Sequence, residues 1–528
     1  MKWRPISKVS SEQGDGWIIH WLRLAVLGSL LLLGLWFAAT GAAWLFVKHY
    51  HGFPTAKYAD LLWPGHWARY RADEGNYYIA NADALLRQGE TVAALHQLRA
   101  GLRKSPSNSA GRAKLARLYL ASRRPDLARE LLLDGLNYLR DEPAYLQATL
   151  SFLLEFQEDD KLLEVTRPLL ATSAPTPPAC RALAATFAAT AAFYRGNYDL
   201  TEDLLYQHHL AGSADGVLLL ARVEWERGYP ELALLRLKEH LTQLPGQDNA
   251  RALLASYYRL LGRNGEWQSA IVERVVDDPS AAAPRIEYLH FHHQRHDETR
   301  LQREAESYLS HFARDPKALL LLADFAANTG RPALAHRVLQ IFAATGENTG
   351  APALMVAESH LAAGEYQAAV NLIMDYSREY PEWTGQFDSV FNGLQAVAFY
   401  GLGKKDEARL YLDHLLTQKN LRADNLVAVA DRLSALGARD LALSTLGRAV
   451  EADPLNQAAL ANLIRLELDT GSLAVLPGHL AHYLRTRKPS REILSRAYET
   501  LGSDRFLFFA GQTGLLGSLG TALAPRRP

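Results

Sequence analysis

The amino-acid sequence predicts an all-α fold, an α-α superhelical solenoid of about 12 helix-pair repeats preceded by one N-terminal transmembrane helix. Two observations lead to this prediction. One is a run of 24 residues near the N-terminus that contains no charge and no proline, and the other is a turn residue that returns at an almost fixed spacing. A period of about 20–50 residues is typical of repeat arrays. The length of 528 residues therefore indicates one long array rather than several globular domains.

The apolar run is the predicted transmembrane helix, residues 24–47. At about 1.5 Å per residue it is long enough to cross a hydrocarbon core of about 30 Å. Trp21 and Trp44 lie near its two ends, as interfacial aromatic residues do. A cleaved signal peptide is the alternative, because residues 39–43 are small. The length of the run, which continues to Val47, favours an uncleaved anchor.

The basic residues flanking this helix predict its orientation. Those before it are Lys2, Arg4, Lys8 and Arg23, and those soon after it are Lys48 and Lys57. The positive-inside rule places the more basic side in the cytoplasm. We therefore expect a single-pass protein of the cytoplasmic (inner) membrane, with its N-terminus inside and its solenoid periplasmic or extracytoplasmic. The predicted segments are a cytoplasmic stretch at 1–23, the transmembrane helix at 24–47 and a juxtamembrane connector at 48–74.

The turn residue sets the phase of the repeats. It stands at Gly89, Arg123, Gln157, Gly196, Gly228, Gly262, His296, Gly330, Gly364, Gly403, Gly437 and Gly471. Eight of the eleven steps between these positions are 34 residues, and two steps of 39 predict breaks near 173–179 and 379–385. The solenoid is thus expected to cover residues 75–490. Residues 491–528 are predicted to form a capping helix and an apolar, glycine-rich tail.

Small residues keep the same phase on both sides of the turn. Seven residues before it lie Ala82, Ala116, Ala189, Ala221, Ala255, Ala323, Ala357, Ala396 and Ala430. Five residues after it lie Ala94, Ala128, Ala233, Ala335, Ala369, Ala408 and Ala442. Seventeen residues after it, proline recurs at positions such as Pro106 and Pro454. Small side chains let two antiparallel helices approach closely, and proline ends the second helix.

This pattern resembles the tetratricopeptide repeat family. The small residue, the turn glycine, the second alanine and the closing proline all match within 82–106, 221–245, 357–381 and 430–454. The units at Gln157 and His296 lack the glycine and are identified by spacing alone. The resemblance covers about residues 75–490. It implies a solenoid whose first helices line a concave groove and whose ligands are other proteins.

The resemblance also implies which residues line the groove. Carried over by phase, the candidates are Asp83, Arg117, Asp215, Arg222, Trp225, Asn249, His290, His293, Lys317, Asp324, Glu358 and Asp431. The set mixes acidic, basic and aromatic side chains, so no single sign of charge dominates the predicted groove.

Composition excludes several other classes of function. Lys and Arg together number 57, as do Asp and Glu, which argues against a nucleic-acid-binding protein. The single cysteine, Cys180, excludes an intramolecular disulfide and any multi-cysteine metal site. Neither a phosphate-binding loop nor a nucleophile elbow is present, so we predict no cofactor and no enzymatic activity. His292 and His296 are weak candidates for a metal site, and a solvated turn is the favoured interpretation of these histidines.

Taken together, the sequence predicts a membrane-tethered protein–protein interaction scaffold that assembles or recruits an envelope complex for assembly, polysaccharide export or secretion. The expected partners are other proteins, among them membrane or envelope subunits, and the membrane itself. The alternative is a sensor or regulator that binds a peptide or a glycan. An enzyme with its site embedded in the repeats is a third interpretation, and the oligomeric state stays open.

Overall fold

The computed structural model describes residues 6–11, 14–19, 21–50, 53–171, 175–243, 247–382, 387–472, 474–504 and 511–523. Within these residues 28 α-helices form the repeat solenoid and one apolar N-terminal helix, so the predicted fold class is confirmed. A short antiparallel hairpin precedes them, with β1 at Ile6–Ser11 and β2 at Gly14–Ile19. The sequence analysis assigned this stretch only as a cytoplasmic segment, because strands this short carry little periodic signal.

The first helix, α1 (Trp21–His49), contains the predicted transmembrane segment. Among the described residues it is the one helix long and apolar enough to cross a membrane. The short helix α2 (Tyr58–Leu62) lies against its second half, where the Trp36 indole donates to the Leu62 carbonyl at 3.1 Å. The Trp44 indole likewise donates to the Ala56 carbonyl at 2.8 Å. The predicted connector therefore folds back along α1 for about 20 Å instead of leading directly away from it.

Twelve helix pairs follow α2 in the described chain. Their first helices are α3 (Trp67–Arg87), α5 (Ser109–Ala121), α7 (Pro143–Glu155), α9 (Pro178–Tyr194), α11 (Ala214–Glu226), α13 (Asp248–Leu260), α15 (Ala282–Gln294), α17 (Pro316–Asn328), α19 (Gly350–Ala362), α21 (Asp388–Gly401), α23 (Ala423–Ala435) and α25 (Gln457–Thr470). Their second helices are α4 (Thr91–Lys104), α6 (Pro125–Leu139), α8 (Asp159–Leu170), α10 (Tyr198–Gln207), α12 (Pro230–Gln243), α14 (Asn264–Asp277), α16 (Glu298–His311), α18 (Pro332–Thr345), α20 (Tyr366–Glu379), α22 (Lys405–Leu416), α24 (Arg439–Ala452) and α26 (Leu476–Tyr483).

The chain forms two compact units. Unit 1 comprises Met1–Glu155 with Glu164–Ala184, and unit 2 comprises Phe156–Leu163 with Ala185–Pro528. In unit 2 a single cluster of buried apolar side chains continues from Ala353 to Leu466, past the second of the two predicted insertions. The domain boundaries proposed from the sequence, including the breaks at 173–179 and 379–385, stay predictions.

All twelve predicted turn residues adopt a positive φ, including the non-glycine residues Arg123, Gln157 and His296. At Gly437, the Gly437 amide donates to the Ser434 carbonyl and the next amide, that of Ala438, donates to the Leu433 carbonyl, each at 2.9 Å. This pair of bonds is the Schellman motif, which satisfies the last carbonyls of a helix and turns the chain. The turn is thus defined by backbone geometry, which is why spacing alone locates it where glycine is absent.

The alanines on both sides of the turn are buried, as predicted. Ala82, Ala221 and Ala323 before the turn are fully buried, and so are Ala94 and Ala233 after it. Where the second alanine is missing, Leu162, Leu301 and Trp267 occupy its position and are also buried. Thr201, which holds this position after Gly196, is fully buried as well, so the position is buried whether its side chain is apolar or polar.

Two helices close the C-terminal end of unit 2. They are α27 (Arg491–Leu501) and α28 (Gln512–Leu523). Leu519 of α28 is fully buried in the same apolar cluster as Leu494 and Leu501 of α27. This part of the tail is packed on the solenoid, whereas the phenylalanine-rich stretch at 506–509 lies outside the described residues.

We predict opposite effects from adding one methyl group at two glycines of the same helix pair. Gly437 has a φ of +82° and open space where a Cβ would lie, so Gly437→Ala should cost about 1 kcal/mol through backbone strain alone. Gly447 lies inside α24, also with open space, so Gly447→Ala should stabilise by about 0.5–1 kcal/mol. Thermal unfolding midpoints and hydrogen exchange of α23 and α24 would measure both changes. Equal effects of the two substitutions would contradict the role assigned to the turn.

Candidate functional site

The twelve predicted groove residues all lie on first helices, and none of them is buried. In unit 2 first helices contact their neighbours, as α15 does α17 and α17 does α19, and the accessible side chains of these helices lie on a common surface. We call this surface the first-helix face. Its exposed members are Asp215, Arg222, Asn249, Lys317, Asp324 and Asp431, and its half-buried members are Trp225, His290, His293 and Glu358. Asp83 (half-buried) and Arg117 (exposed) hold the equivalent positions in unit 1.

An aromatic stack joins α11 to α13 on the first-helix face. The rings of Trp225 and Tyr257 are parallel within 5°, with centroids 3.9 Å apart. Tyr257 is buried, and this burial raises the pKa of its hydroxyl, with Arg222 acting in the opposite direction. The half-buried Trp225 is thereby held rigidly with one side accessible, which is the arrangement of an anchor for a partner side chain.

A histidine pair joins α15 to α17. The His290 ring meets Phe325 edge-on at 4.8 Å, and the His293 Nδ1 lies 3.4 Å from the Arg331 guanidinium. Burial lowers the pKa of both imidazoles. The neighbouring His293 lowers the pKa of His290 further, and the Arg331 guanidinium lowers that of His293 further. Both rings therefore favour the neutral state, in which an imidazole has one hydrogen-bond donor and one acceptor nitrogen.

Farther along the first-helix face, an ion pair connects two first helices that are separated by one repeat. Glu358 on α19 and Arg432 on α23 approach to 3.4 Å, and each side chain is about a quarter exposed. Beside them lies a cavity of about 60 Å³, lined by apolar residues that include Leu394 and Val429. A cavity of this size with an ion pair at its side can receive a small apolar group and hydrogen-bond the backbone that carries it.

Equivalent polar pairs occur in both units. The Asn462 amide donates to Asp431 at 2.9 Å in unit 2, and the Lys114 ammonium donates to Asp83 at 2.7 Å in unit 1. In each pair the carboxylate stands six residues before its turn and the donor nine residues before the next turn. Asp83 and Asp431 are thus each joined to the next repeat, and the twelve predicted residues do not converge on one cluster.

Five residues that were not predicted contact the predicted groove residues. Three of them stand five residues before their turn, namely Tyr257, Phe325 and Arg432. The prediction of the groove used the position six residues before the turn, so these three lie one position later. Lys114 and Asn462 share the position nine residues before the turn. The same 34-residue phase, extended to these two positions, would have found all of them.

The weak metal candidates do not assemble a site. His292 is buried with its ring 4.5 Å from Tyr288, whereas His296 is exposed on the turn with a φ of 54°. Within the described residues, no group of three or more His, Cys, Asp or Glu side chains is placed to hold a metal ion. Cys180 is buried in α9, and burial raises the pKa of its thiol, so its role there is packing.

Comparison with known proteins gives one family and several fold neighbours. Residues 85–150 match the family model described as tetratricopeptide repeat. No curated protein matches the chain. Similar solved structures include yeast Tom70 (12% identity, TM-score 0.32), and the match covers 82% of this chain and 98% of the Tom70 chain. A tetratricopeptide repeat protein from Parabacteroides merdae (13% identity, TM-score 0.30) covers 47% of this chain and 96% of its own.

The chain of the Cut9–Hcn1 heterotetramer of APC/C is also similar, at 13% identity and a TM-score of 0.25, covering 84% of this chain and 96% of its own. TM-scores this low establish no shared overall geometry. The family match identifies tetratricopeptide repeat sequence at residues 85–150, and the same turn geometry recurs at all twelve turn residues.

We predict that His292 makes the stability of unit 2 depend on pH. Burial lowers the pKa of this imidazole, an effect that Asp297 and Glu304 partly oppose, so the folded state favours the neutral ring. Stability is therefore fully present above the unfolded-state pKa of about 6.5 and is lost as the pH falls below it. His292→Leu should flatten the fall in the thermal unfolding midpoint between about pH 7 and pH 5.

The matched control for this prediction is His296→Asn, which removes an exposed imidazole four residues away and keeps a residue that tolerates a positive φ. It should leave the wild-type pH dependence in place. An unchanged pH slope in His292→Leu would contradict the assignment.

Proposed function

From tetratricopeptide repeats that follow one apolar helix, we propose that this chain is a membrane-tethered protein–protein interaction scaffold. The first-helix face is the proposed binding surface, and α1 is the tether. The proposed partners are subunits of a membrane or envelope complex that the scaffold assembles or recruits. The observation that carries the proposal is the row of accessible aromatic and charged side chains that successive first helices place next to one another.

The chemistry of this row suits a protein segment of mixed charge. Arg222 and Lys317 offer cations, while Asp324 and Asp431 offer carboxylates along the same face. Charges of alternating sign favour specificity and correct register over raw affinity. The stacked Trp225 supplies the rigid aromatic contact that commonly contributes most to binding energy. The proposed activity is binding alone, as is typical of the tetratricopeptide repeat family, and it requires no cofactor.

Packing between α1 and α2 supports an anchor that is retained. The small-residue tract at 39–43, where a signal peptide would be cleaved, lies inside α1 rather than at its end. Thr40 is buried there, and its hydroxyl lies 3.2 Å from the Tyr58 hydroxyl. The Tyr58 hydroxyl donates a hydrogen bond to the Phe37 carbonyl at 3.1 Å. Cleavage in this tract would remove the surface on which α2 packs.

The indole hydrogen bonds of Trp36 and Trp44 support the same interpretation. Each N–H is satisfied by a backbone carbonyl of the segment that folds back along α1. A donor that is satisfied within the protein can lie in the apolar layer of a membrane without an unmet hydrogen bond. We propose that α1 and α2 together enter the membrane boundary, with the N-terminus in the cytoplasm and the repeats periplasmic or extracytoplasmic.

We predict that the purified protein retains all of α1 and that its repeats are accessible from outside the cytoplasmic membrane. Intact mass measurement should find no cleavage between residues 39 and 43. Protease added to intact spheroplasts should digest the repeats, since the basic residues before α1 hold the N-terminus inside. A mature N-terminus at the small-residue tract would contradict the anchor, and protection of the repeats would contradict the orientation.

We predict that partners cross-link from the first-helix face. A photo-reactive amino acid at Trp225 should form specific adducts with a membrane or envelope protein in living cells, because this side chain is half-buried and accessible in the groove. The matched control is the same photo-reactive residue at Leu410, an apolar and 68% exposed position on the second helix α22. Mass spectrometry of the adducts would identify the partner. Equal labelling from both positions would contradict the groove as the binding surface.

A further inference from the structure

A basic loop near the C-terminus of unit 2 contacts helices from the beginning of the same unit. The loop, residues 484–490, connects α26 to α27 and has the sequence Leu-Arg-Thr-Arg-Lys-Pro-Ser. Its contacts lie near residues 157–160, 193–198 and 226, about three hundred residues earlier in the chain. We call residues 484–490 the closing loop. Contacts at this separation join the two ends of the repeat array in unit 2.

Arg487 is held by a buried carboxylate and an aromatic ring. Its Nε donates to Asp159 Oδ2 at 2.7 Å, and its Nη2 donates to Asp159 Oδ1. The Asp159 side chain is only 2% exposed, and that of Arg487 is 14% exposed. The guanidinium also lies 4.2 Å from the centre of the Tyr194 ring. A bidentate pair on an aromatic face is the strongest common way for a protein to hold an arginine.

Lys488 occupies the adjacent position. Its ammonium lies 3.3 Å from the centre of the Phe193 ring and 3.1 Å from the Glu226 carboxylate. Its backbone has a φ of 44°, a conformation that a lysine rarely adopts. Such strain persists only where surrounding contacts outweigh it, so the loop conformation is imposed by what Lys488 binds.

Two further hydrogen bonds join the ends of the array. The Gln157 amide donates to the Leu455 carbonyl at 3.1 Å, and the Arg195 guanidinium approaches the Arg485 carbonyl at 3.4 Å. Neither bond uses the side chains of Arg487 or Lys488. The closure is therefore a contact of several groups centred on the two adjacent cations.

We propose that Asp159, Phe193, Tyr194 and Glu226 form a binding site for an Arg-Lys pair, which we call the basic-pair site. The closing loop occupies it within the same chain, and this contact closes unit 2 into a ring. Two carboxylates and two aromatic rings match two neighbouring cations in number and in charge. A partner segment with the same Arg-Lys chemistry would compete for the site, open the ring and change access to the first-helix face. The last of these consequences rests on the proposed function, whereas the site and the closure do not.

The structure shows why the closing loop can be exchanged. The Lys488–Glu226 pair is partly exposed, with side chains 23% and 42% accessible, so salt screens it. A cavity of about 780 Å³ adjoins the loop, lined by Tyr198, Tyr229 and Leu494 among others. This space can receive the loop or a competing segment as one of them leaves the site. The buried Asp159, in contrast, favours an occupied site, because an uncompensated buried carboxylate is costly.

The first experiment measures the closure in the full-length protein. Spin labels at the exposed positions Gln207 and Ser495, in a Cys180→Ala background, report the distance across the closure by pulsed electron resonance. The wild-type chain should give one narrow distance distribution. Arg487→Ala with Lys488→Ala should shift it to longer and broader distances. The matched control is Arg485→Ala, which removes an exposed cation of the same loop and should leave the distribution narrow. An unchanged distribution in the double variant would overturn the proposal.

A second variant guards against general loss of folding. Asp159→Asn with Arg487→Met removes both buried charges together and leaves neither one uncompensated. Circular dichroism should show wild-type helicity, while the label distances should again lengthen. Wild-type distances in this variant would likewise overturn the proposal.

The second experiment tests the site with a peptide added in solution. A fluorescent peptide of residues 484–490 should bind the Arg487→Ala/Lys488→Ala protein, whose site is empty. Its affinity for the wild-type chain, and for the empty-site protein that also carries Asp159→Asn, should be at least about tenfold weaker. Equal affinity for all three proteins would overturn the basic-pair site. Because this readout uses no partner of the first-helix face, its failure and that of the scaffold proposal are distinguishable.

Discussion

The left-handed turn between the two helices of each pair is the constraint on which the rest of this structure depends. It ends every first helix at a fixed position, and the backbone of the turn satisfies the last carbonyls of that helix. Because the phase is fixed, alanines at constant distances from the turn meet in the helix interfaces. The same phase places residues six positions before the turn, among them Arg222, Asp324 and Asp431, on one accessible face, so the fold and the candidate site have a common origin.

Much of this arrangement could be predicted from the sequence, because its information is local. The turns at Arg123 and His296 were located by spacing, although neither is glycine. The stack of Trp225 on Tyr257 was not predicted, because Tyr257 lies one position after the one used to predict groove residues. The contact between Asp159 and Arg487 could not be predicted, since it depends on the small rotation added by each repeat across 328 residues. The fold-back of α2 on α1 is similarly a matter of packing, without a periodic signal.

The balance of acidic and basic residues in the chain can be interpreted from the contacts between repeats. Acidic and basic residues are equal in number, and the structure pairs some of them between repeats, as in Asp83 with Lys114 of the next repeat and Glu358 with Arg432 two repeats farther on. The first-helix face therefore presents local patterns of charged and aromatic side chains rather than one electrostatic field of a single sign. Such patterns favour specificity for particular partners. The basic-pair site follows the same logic within the chain, since two cations of the closing loop meet two carboxylates and two rings.

The central claim is that the first-helix face binds another protein while α1 holds the repeats at the membrane. The most direct measurement is a cryo-electron microscopy map of the complex purified from native membranes in mild detergent. We expect partner density along α11 to α19 that touches Arg222 and Trp225, with α1 inside the detergent belt. Partner density confined to the second helices, or α1 outside the belt, would contradict it.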